Sequence, residues 1–305
     1  MLNNNFSKKV LEKHQDILAT YVLPVELAVK TVENNSGQVG SELRLQEIYT
    51  EEIWRKLDSL GMKEFSWNTA KVLDVASGAG FLSYHLLKRI TPAELHLADI
   101  SLEEVEESKK LLISRYPSSV IEYSTVDVLQ SGFPDHSFDV IIGNSFLHHF
   151  YDLPKALQEF KRMLKSGGVF ISLHEPTVPA VAHEYKNPIL TIWYWMMGKD
   201  YLNLVRYKGE DIAPGGGADV WIFEQKDIAP LFKKVGFNEV RIGNWNFFRP
   251  MVVSFLHLHQ SKEKPVLQKW EILFLRLGIG LDGFLQKILP AKAFGSVSVL
   301  ARNEM

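Results

Sequence analysis

Two rhythms of apolar and polar residues run along this chain, and the switch between them falls near Lys71. Before it, Leu11, Ile17, Leu18 and Tyr21 recur at helical spacing, which predicts helices over 8–32 and 41–60 with a break at Asn34-Asn35-Ser36-Gly37. After it, short apolar runs alternate with amphipathic stretches, the pattern of a parallel sheet with crossover helices. The predicted strands are Val72–Val75, Glu94–Ala98, Ile121–Ser124, Phe138–Ile142 and Val169–Leu173. Ser101 and Glu104 form a capping box at one helix start. Asp152 caps a later helix, with Pro154 in its first turn and Leu157, Phe160 and Leu164 on one face. Ser166-Gly167-Gly168 is expected to stop that helix.

The alternation lapses after Pro176. Residues 177–222 are rich in aromatics, among them Tyr185, Trp193, Tyr194, Trp195, Tyr201 and Tyr207, and finish in Pro214-Gly215-Gly216-Gly217. A helix over Gln225–Val235, ended by Gly236, and a strand over Glu239–Ile242 resume the pattern. A second insertion, 251–292, precedes a closing strand, Ser296–Ala301.

Composition narrows the function classes. With 305 residues and 46% apolar content, the chain can form one large domain with appended lids. A net charge of −2, from 34 basic and 36 acidic residues, gives no electrostatic case for nucleic acid as a partner. The absence of cysteine excludes disulfides, thiolate metal sites and cysteine nucleophiles. Met1–Lys9 lacks the apolar core of a signal peptide, and no apolar run is long enough for an integral membrane segment, so a cytoplasmic location is expected.

The chemistry gathers where predicted strands end. Val72–Val75 runs into Ala76-Ser77-Gly78-Ala79-Gly80 and then into a helix, a loop that brings a ligand close to bare backbone N–H groups. Gly78 and Gly80 permit the sharp turn. Asp74 is the unusual member: a carboxylate at the entrance would repel a pyrophosphate and welcome a ligand with a cationic end. Asp99 ends the second strand about twenty residues after the loop, where an acid accepts ribose hydroxyls. Asp127 follows the third strand, where a carboxylate can accept an adenine amino group. Each alone has a bland reading as a cap or a solvated loop acid. Together they lie past the carboxyl ends of three strands, where open α/β sheets bind ligands.

These segments, with Ser137-Phe138-Asp139-Val140-Ile141-Ile142-Gly143-Asn144, Phe146-Leu147-His148-His149-Phe150 and Met163–Gly168, resemble the class I S-adenosylmethionine-dependent methyltransferases, above all the small-molecule group that includes quinone methyltransferases. The resemblance covers residues 70–175 well, and 223–245 and the last strand more loosely. It implies an α/β fold: a Rossmann-like, doubly wound seven-stranded sheet with one antiparallel strand, Ser296–Ala301, beside the fifth strand, plus helical lid insertions. It divides the chain into a helical lid (1–70), a cofactor-binding core (71–175), a cap insertion (176–222), a core continuation (223–250), a helical insertion (251–292) and the last strand (293–305). The cofactor implied is S-adenosylmethionine, held by Asp74, Ala76, Ser77, Gly78, Gly80, Asp99, Ile100, Asp127, Val128 and Asn144. Ala76 stands where the family usually has a glycine, and Ser166 where it has a proline.

The expected acceptor is a small apolar or aromatic molecule, and the expected reaction is O-methylation aided by a histidine base on the sheet rim. C- or N-methylation of a quinone-like or lipid-like acceptor is the alternative. Candidate catalytic residues are His148 and His149 after the fourth strand and His174 and Glu175 after the fifth, with His183 and Tyr185 more distant. No acid–histidine spacing matches a metal motif, so no metal is expected. The segment Ile192–Met197 reads as a lid wall or as plain packing. Leu267–Leu289 reads as a lid, a homodimer contact or a membrane-surface helix, broken at Gly278, Gly280 and Gly283 and without a strong basic face. A nicotinamide oxidoreductase fits less well, because Ser83 occupies the third glycine position of a dinucleotide loop. A base-modifying methyltransferase would carry an Asn/Asp-Pro-Pro-aromatic turn where this chain has Asn144-Ser145-Phe146-Leu147.

Overall fold

Strand β1 (Lys71–Val75) lies near the middle of a sheet of order β3-β2-β1-β4-β5-β7-β6. The other strands are β2 (Glu94–Asp99), β3 (Ile121–Thr125), β4 (Phe138–Asn144), β5 (Leu164–Pro176), β6 (Glu239–Trp245) and β7 (Ser296–Arg302). The computed structural model describes residues 46–150, 152–177, 223, 225–248 and 269–304. The helix expected over 8–32, the aromatic segment with His183, Tyr185 and Tyr194, and the Pro214–Gly217 loop lie outside them.

β1 pairs in parallel with β2 and β4, β2 with β3, and β4 with β5. β7 runs antiparallel to both β5 and β6, as the resemblance implies. The carboxyl ends of β1 to β6 therefore share one rim, and every ligand-type loop opens there.

Alternation along the strands feeds two cores. Val169, Ile171 and Leu173 of β5 join Leu57, Leu82, Leu86 and Leu95 on one face. Phe170 joins Leu157, Phe160, Phe232 and Phe237 on the other. The first face is covered by helices α1 (Gln46–Ser59), α2 (Phe81–Leu87) and α3 (Leu102–Arg115). The second is covered by α4 (Leu153–Met163) and α5 (Gln225–Val235). The predicted caps form: the Ser101 hydroxyl accepts from Glu104 N at 3.3 Å, and Asp152 accepts from Lys155 N at 3.0 Å.

Two local expectations change. Ser166-Gly167-Gly168 does not stop α4: the helix ends at Met163, and Leu164 already pairs with Phe138 as the first residue of β5. The buried Asn303 explains this, because its amide donates to Leu164 O at 3.0 Å and Lys165 O at 3.2 Å, and so satisfies carbonyls that a glycine cap would otherwise serve. The second concerns α6 (Lys269–Leu285), which runs unbroken through Gly278, Gly280 and Gly283. A glycine costs a helix about 1 kcal/mol, and the burial of Leu275, Ile279 and Asp282 against the body outweighs it. Among the described residues no helix is long and apolar enough to cross a membrane.

Candidate active site

The loop after β1 is held from beneath by its own acid. Asp74 is fully buried, and its Oδ2 accepts from Ser83 N at 3.2 Å and from the Ser83 hydroxyl at 2.5 Å. Ser83, the residue at the third glycine position, thus uses its side chain to anchor α2 to β1. The other carboxylate oxygen, Oδ1, is buried with no partner, as is the Ser77 hydroxyl three residues further on. Burial pushes the Asp74 carboxyl up to about 7, partly offset by the two Ser83 bonds and reinforced by the charge of Asp99.

The loop backbone is forced into left-handed conformations at Ala76 (φ 51°), Gly78 (φ 50°) and Gly80 (φ 78°). Glycine is required at Gly80 on a second count, since a Cβ there would lie 2.9 Å from Ser108 Cβ. Ala76 pays for the same geometry without glycine's freedom, at about 1–2 kcal/mol. Ser145, His174 and Asn246 also have positive φ, at 56°, 66° and 65°. These three lie on the same rim, at the ends of β4, β5 and β6, whereas His136 (φ 54°) precedes β4 at the opposite edge; strain gathered at a rim is characteristic of functional sites.

Asp99 is locked to the loop: its Oδ2 accepts from Gly78 N at 2.8 Å and its Oδ1 from Ser101 N at 2.9 Å. Burial raises its pKa, moderated by the N–H groups of Ser101, Gly78 and Ile100. The Ile100 side chain itself is exposed at the rim. Asp127 caps the short helical turn Val128–Gln130 through Leu129 N at 2.9 Å, and Val126 N donates to Asp99 O at 2.8 Å, tying the loops after β2 and β3 together. Sequence reading assigned Glu104 only a capping role. Its carboxylate lies within 3.7 Å of where a Gly78 Cβ would be. Burial, then the charges of Asp99, Glu103 and Glu107, push it up to about 7. Asp74, Asp99 and Glu104 therefore form an acidic mouth with no basic partner among the described residues. These residues fit a nucleoside ligand with cationic groups: orphaned acceptors at Asp74 and Ser77, a braced acid at Asp99, and crowded carboxylates that a positive charge would relieve.

A second polar centre lies at the ends of β4 and β5. Glu175 is buried and accepts from Phe146 N (3.1 Å), Leu147 N (3.0 Å), the Ser172 hydroxyl (2.5 Å), His148 N (3.3 Å) and His148 Nδ1 (2.7 Å). Burial alone would raise its pKa; the His148 contacts, the Ser172 hydroxyl and Leu147 N outweigh it and hold the carboxylate below its usual range. His148 is buried, carries a proton on Nδ1 towards this carboxylate, and so turns Nε2 into its basic nitrogen. The His149 ring lies 4.0 Å from that of His148. Asn144 is exposed at the end of β4. Gly143, before it, packs where a Cβ would meet Val75 O at 2.6 Å and the Phe146 ring at 2.7 Å, so the β4 loop sits directly against the end of β1.

His174 sits elsewhere. The pairing of β5 with β7 shifts between Ser172 and Glu175, an extra residue in β5. This bulge turns Glu175 to the side of Ser172 and sends His174 to the opposite side, towards α1. There Lys56 Nζ donates to His174 Nδ1 at 2.8 Å and to Glu52 Oε1 at 2.8 Å. Asn246 faces Nε2 at 2.9 Å. The atom facing Nε2 is Asn246 Nδ2, and Asn246 Oδ1 is buried without a partner; with Nδ1 accepting, a neutral ring carries its proton on Nε2, and exchanging the amide nitrogen and oxygen lets Oδ1 accept it. Both nitrogens are engaged in tying α1 to β5 and β6. The buried Lys56 and Glu52 and the half-buried Asn246 had no motif to mark them. The structure thus brings together His148, His149 and Glu175 and separates them from His174.

Residues 73–172 match the family model described as a methyltransferase domain. The chain is 31% identical over 130 residues to a 2-phytyl-1,4-naphthoquinone methyltransferase of Nostoc punctiforme, covering 42% of this chain and 56% of that protein. It is 27% identical over 213 residues to a ubiquinone/menaquinone biosynthesis C-methyltransferase of Rickettsia rickettsii, covering 66% of this chain and 79% of the relative. The chain thus spans little more than half the length of the first of these curated relatives. Among solved structures, phosphoethanolamine N-methyltransferase 2 of Haemonchus contortus in complex with S-adenosyl-L-methionine superposes with a TM-score of 0.54 at 17% identity, over 83% of this chain and 52% of that one. At that identity the likeness speaks for the fold alone.

Proposed function

We propose that this chain, which belongs to the class I S-adenosylmethionine-dependent methyltransferases, methylates a small, apolar, quinol-type acceptor, with His148 as the base. One observation carries the reading: the buried His148 Nδ1–Glu175 contact of 2.7 Å at the end of β4, on the strand beside the cofactor loop. S-adenosylmethionine, when bound, supplies a methyl group already activated on a sulfonium. The chain's own residues do the rest. Asp99 and Asp127 serve the ribose and adenine, Gly78 and Ser77 offer the loop around the ligand, and the acidic mouth of Asp74, Asp99 and Glu104 favours its cationic end. Glu175 fixes the His148 tautomer and stabilises the imidazolium that forms when Nε2 takes a phenolic proton; it is a positioning residue. Deprotonation makes a quinol electron-rich at oxygen and at the ring carbons, and aligned in-line contact then governs the rate. After transfer to carbon the ring C–H releases its proton to solvent and the phenolate regains the proton held on Nε2, so one proton leaves for each methyl transferred.

The ubiquinone/menaquinone biosynthesis C-methyltransferase relative favours carbon as the methylated atom. O-methylation is the second reading, supported by the same dyad, since a phenolate oxygen needs the same base. His174 takes no part in proton transfer in this scheme, because both its nitrogens are committed.

The test supplies trideuteromethyl-labelled cofactor with long-chain and short-chain quinols and locates the label by NMR and mass spectrometry. His148→Gln is expected to lower turnover about 10²–10⁴-fold while S-adenosylhomocysteine binds as before. Undiminished turnover would remove His148 as the base, and label on oxygen would select the second reading.

A further inference from the structure

Helix α6 is apolar on two faces. Its inner face buries Leu275 and Ile279, and Asp282 there accepts from Asn246 N at 3.1 Å and Phe248 N at 2.6 Å. Its outer face carries Leu273, Leu277, Leu281 and Phe284, continued by Ile288 in the following turn, at relative exposures of 56, 53, 41, 57 and 62%. The spacing places them in one row along the helix. Trp270 and Phe274, with rings 6.3 Å apart, extend the same line. Scattered exposed apolar residues need no account, but a continuous row marks a contact surface.

The row lies beside the end of β6, on the rim of the sheet. The same Asp282 bonds hold α6 to the end of β6, whose Asn246 touches His174. Arg276 pairs with Glu51 of α1 at 2.7 Å. α1 in turn reaches the cofactor side, where Tyr49 packs edge-on to Phe81 of α2 at 5.5 Å. The outer face of α6 thus runs beside the rim where an acceptor must arrive.

We infer that this face docks on the surface of a lipid bilayer, from which the enzyme takes a lipid-chained acceptor. The inference rests on the quinol-type reading above and narrows it to a quinol with a long hydrocarbon chain, which resides in the bilayer, where the enzyme must meet it. A single-helix ridge suits insertion among acyl chains, whereas a stable pairing of two copies buries about 800 Å² on each partner. Of the described charged residues beside the row, Arg276 is paired with Glu51, Lys287 is basic, and Asp282 faces inward. Docking is therefore driven mainly by apolar insertion, with a weak preference for anionic lipid.

The experiment floats the full chain with vesicles of phosphatidylcholine, with and without phosphatidylglycerol. Leu277→Gln/Phe284→Gln is compared with wild type, with S-adenosylhomocysteine affinity and thermal midpoint as controls of folding. Wild type is expected to rise with the vesicles, and the double variant to lose about tenfold or more of its partitioning with both controls unchanged. Wild type remaining in the bottom fraction, or the variant floating equally well, overturns docking. A dimer in light scattering that the variant dissociates, without flotation, assigns the face to a second copy and also overturns it. Methylation of a detergent-dispersed long-chain quinol without vesicle binding refutes docking and leaves the acceptor reading intact. Vesicle binding with methylation of water-soluble acceptors alone refutes the acceptor reading and supports docking.

Discussion

Asp74 makes the stability of the ligand-free protein fall as pH rises. Its carboxyl titrates near 3.8 in an unfolded chain and at about 7 in the fold. The folded state therefore holds the proton more tightly, and between these values it binds more protons than the unfolded state. Stability is full below pH 4, declines through the interval and levels off once Asp74 is ionised. Each tenfold change in proton affinity is worth about 1.4 kcal/mol, so the loss from acid to pH 8 is on the order of 4 kcal/mol. Asp74→Asn removes it. The amide oxygen can still accept both Ser83 bonds, while the amide NH₂ takes the place of the orphaned Oδ1 at a pH-independent cost of about 1–3 kcal/mol. Urea unfolding of both proteins from pH 4.5 to 8.5 reads the difference. Asp99 and Glu104 also have raised pKa values, but they titrate in both proteins and largely cancel. The wild type is expected to lose stability relative to the variant across this range. Saturating S-adenosylmethionine is expected to shrink that loss, because its positive charges draw Asp74 back towards ionisation. Parallel curves for the two proteins would refute the claim that Asp74 is a buried acid without a counter-charge.

Two further substitutions probe the loop. Gly80→Ala is expected to destabilise by about 2–4 kcal/mol, combining left-handed strain with the Ser108 contact, and unchanged urea midpoints would contradict the turn geometry. Ala76→Gly is expected to stabilise by about 0.5–1 kcal/mol, the relieved strain exceeding the added freedom of the unfolded chain. Calorimetric melting reads it, and a loss would mean that Ala76 is unstrained.

Much of this protein was legible from local pattern. Strand periodicity, the capping residues Ser101 and Asp152, and the series Asp74, Gly78, Gly80, Asp99 and Asp127 act over a few neighbouring residues, so their physics is written in the order of the chain. Those features determined the sheet, its rim and the cofactor class. What the fold alone decided depends on contacts between distant segments. One extra residue in β5 reverses the alternation after Ser172, and so gives Glu175 to His148 and His174 to Lys56. Glu104 becomes part of the acidic mouth only because α3 packs beside the glycine loop. α6 stays helical across three glycines because its inner face is buried on β6 and α1, and the same docking turns its apolar row outward. In each case a bulge or a packing contact supplies the deciding free energy, and neither is visible in the spacing of residues along the chain.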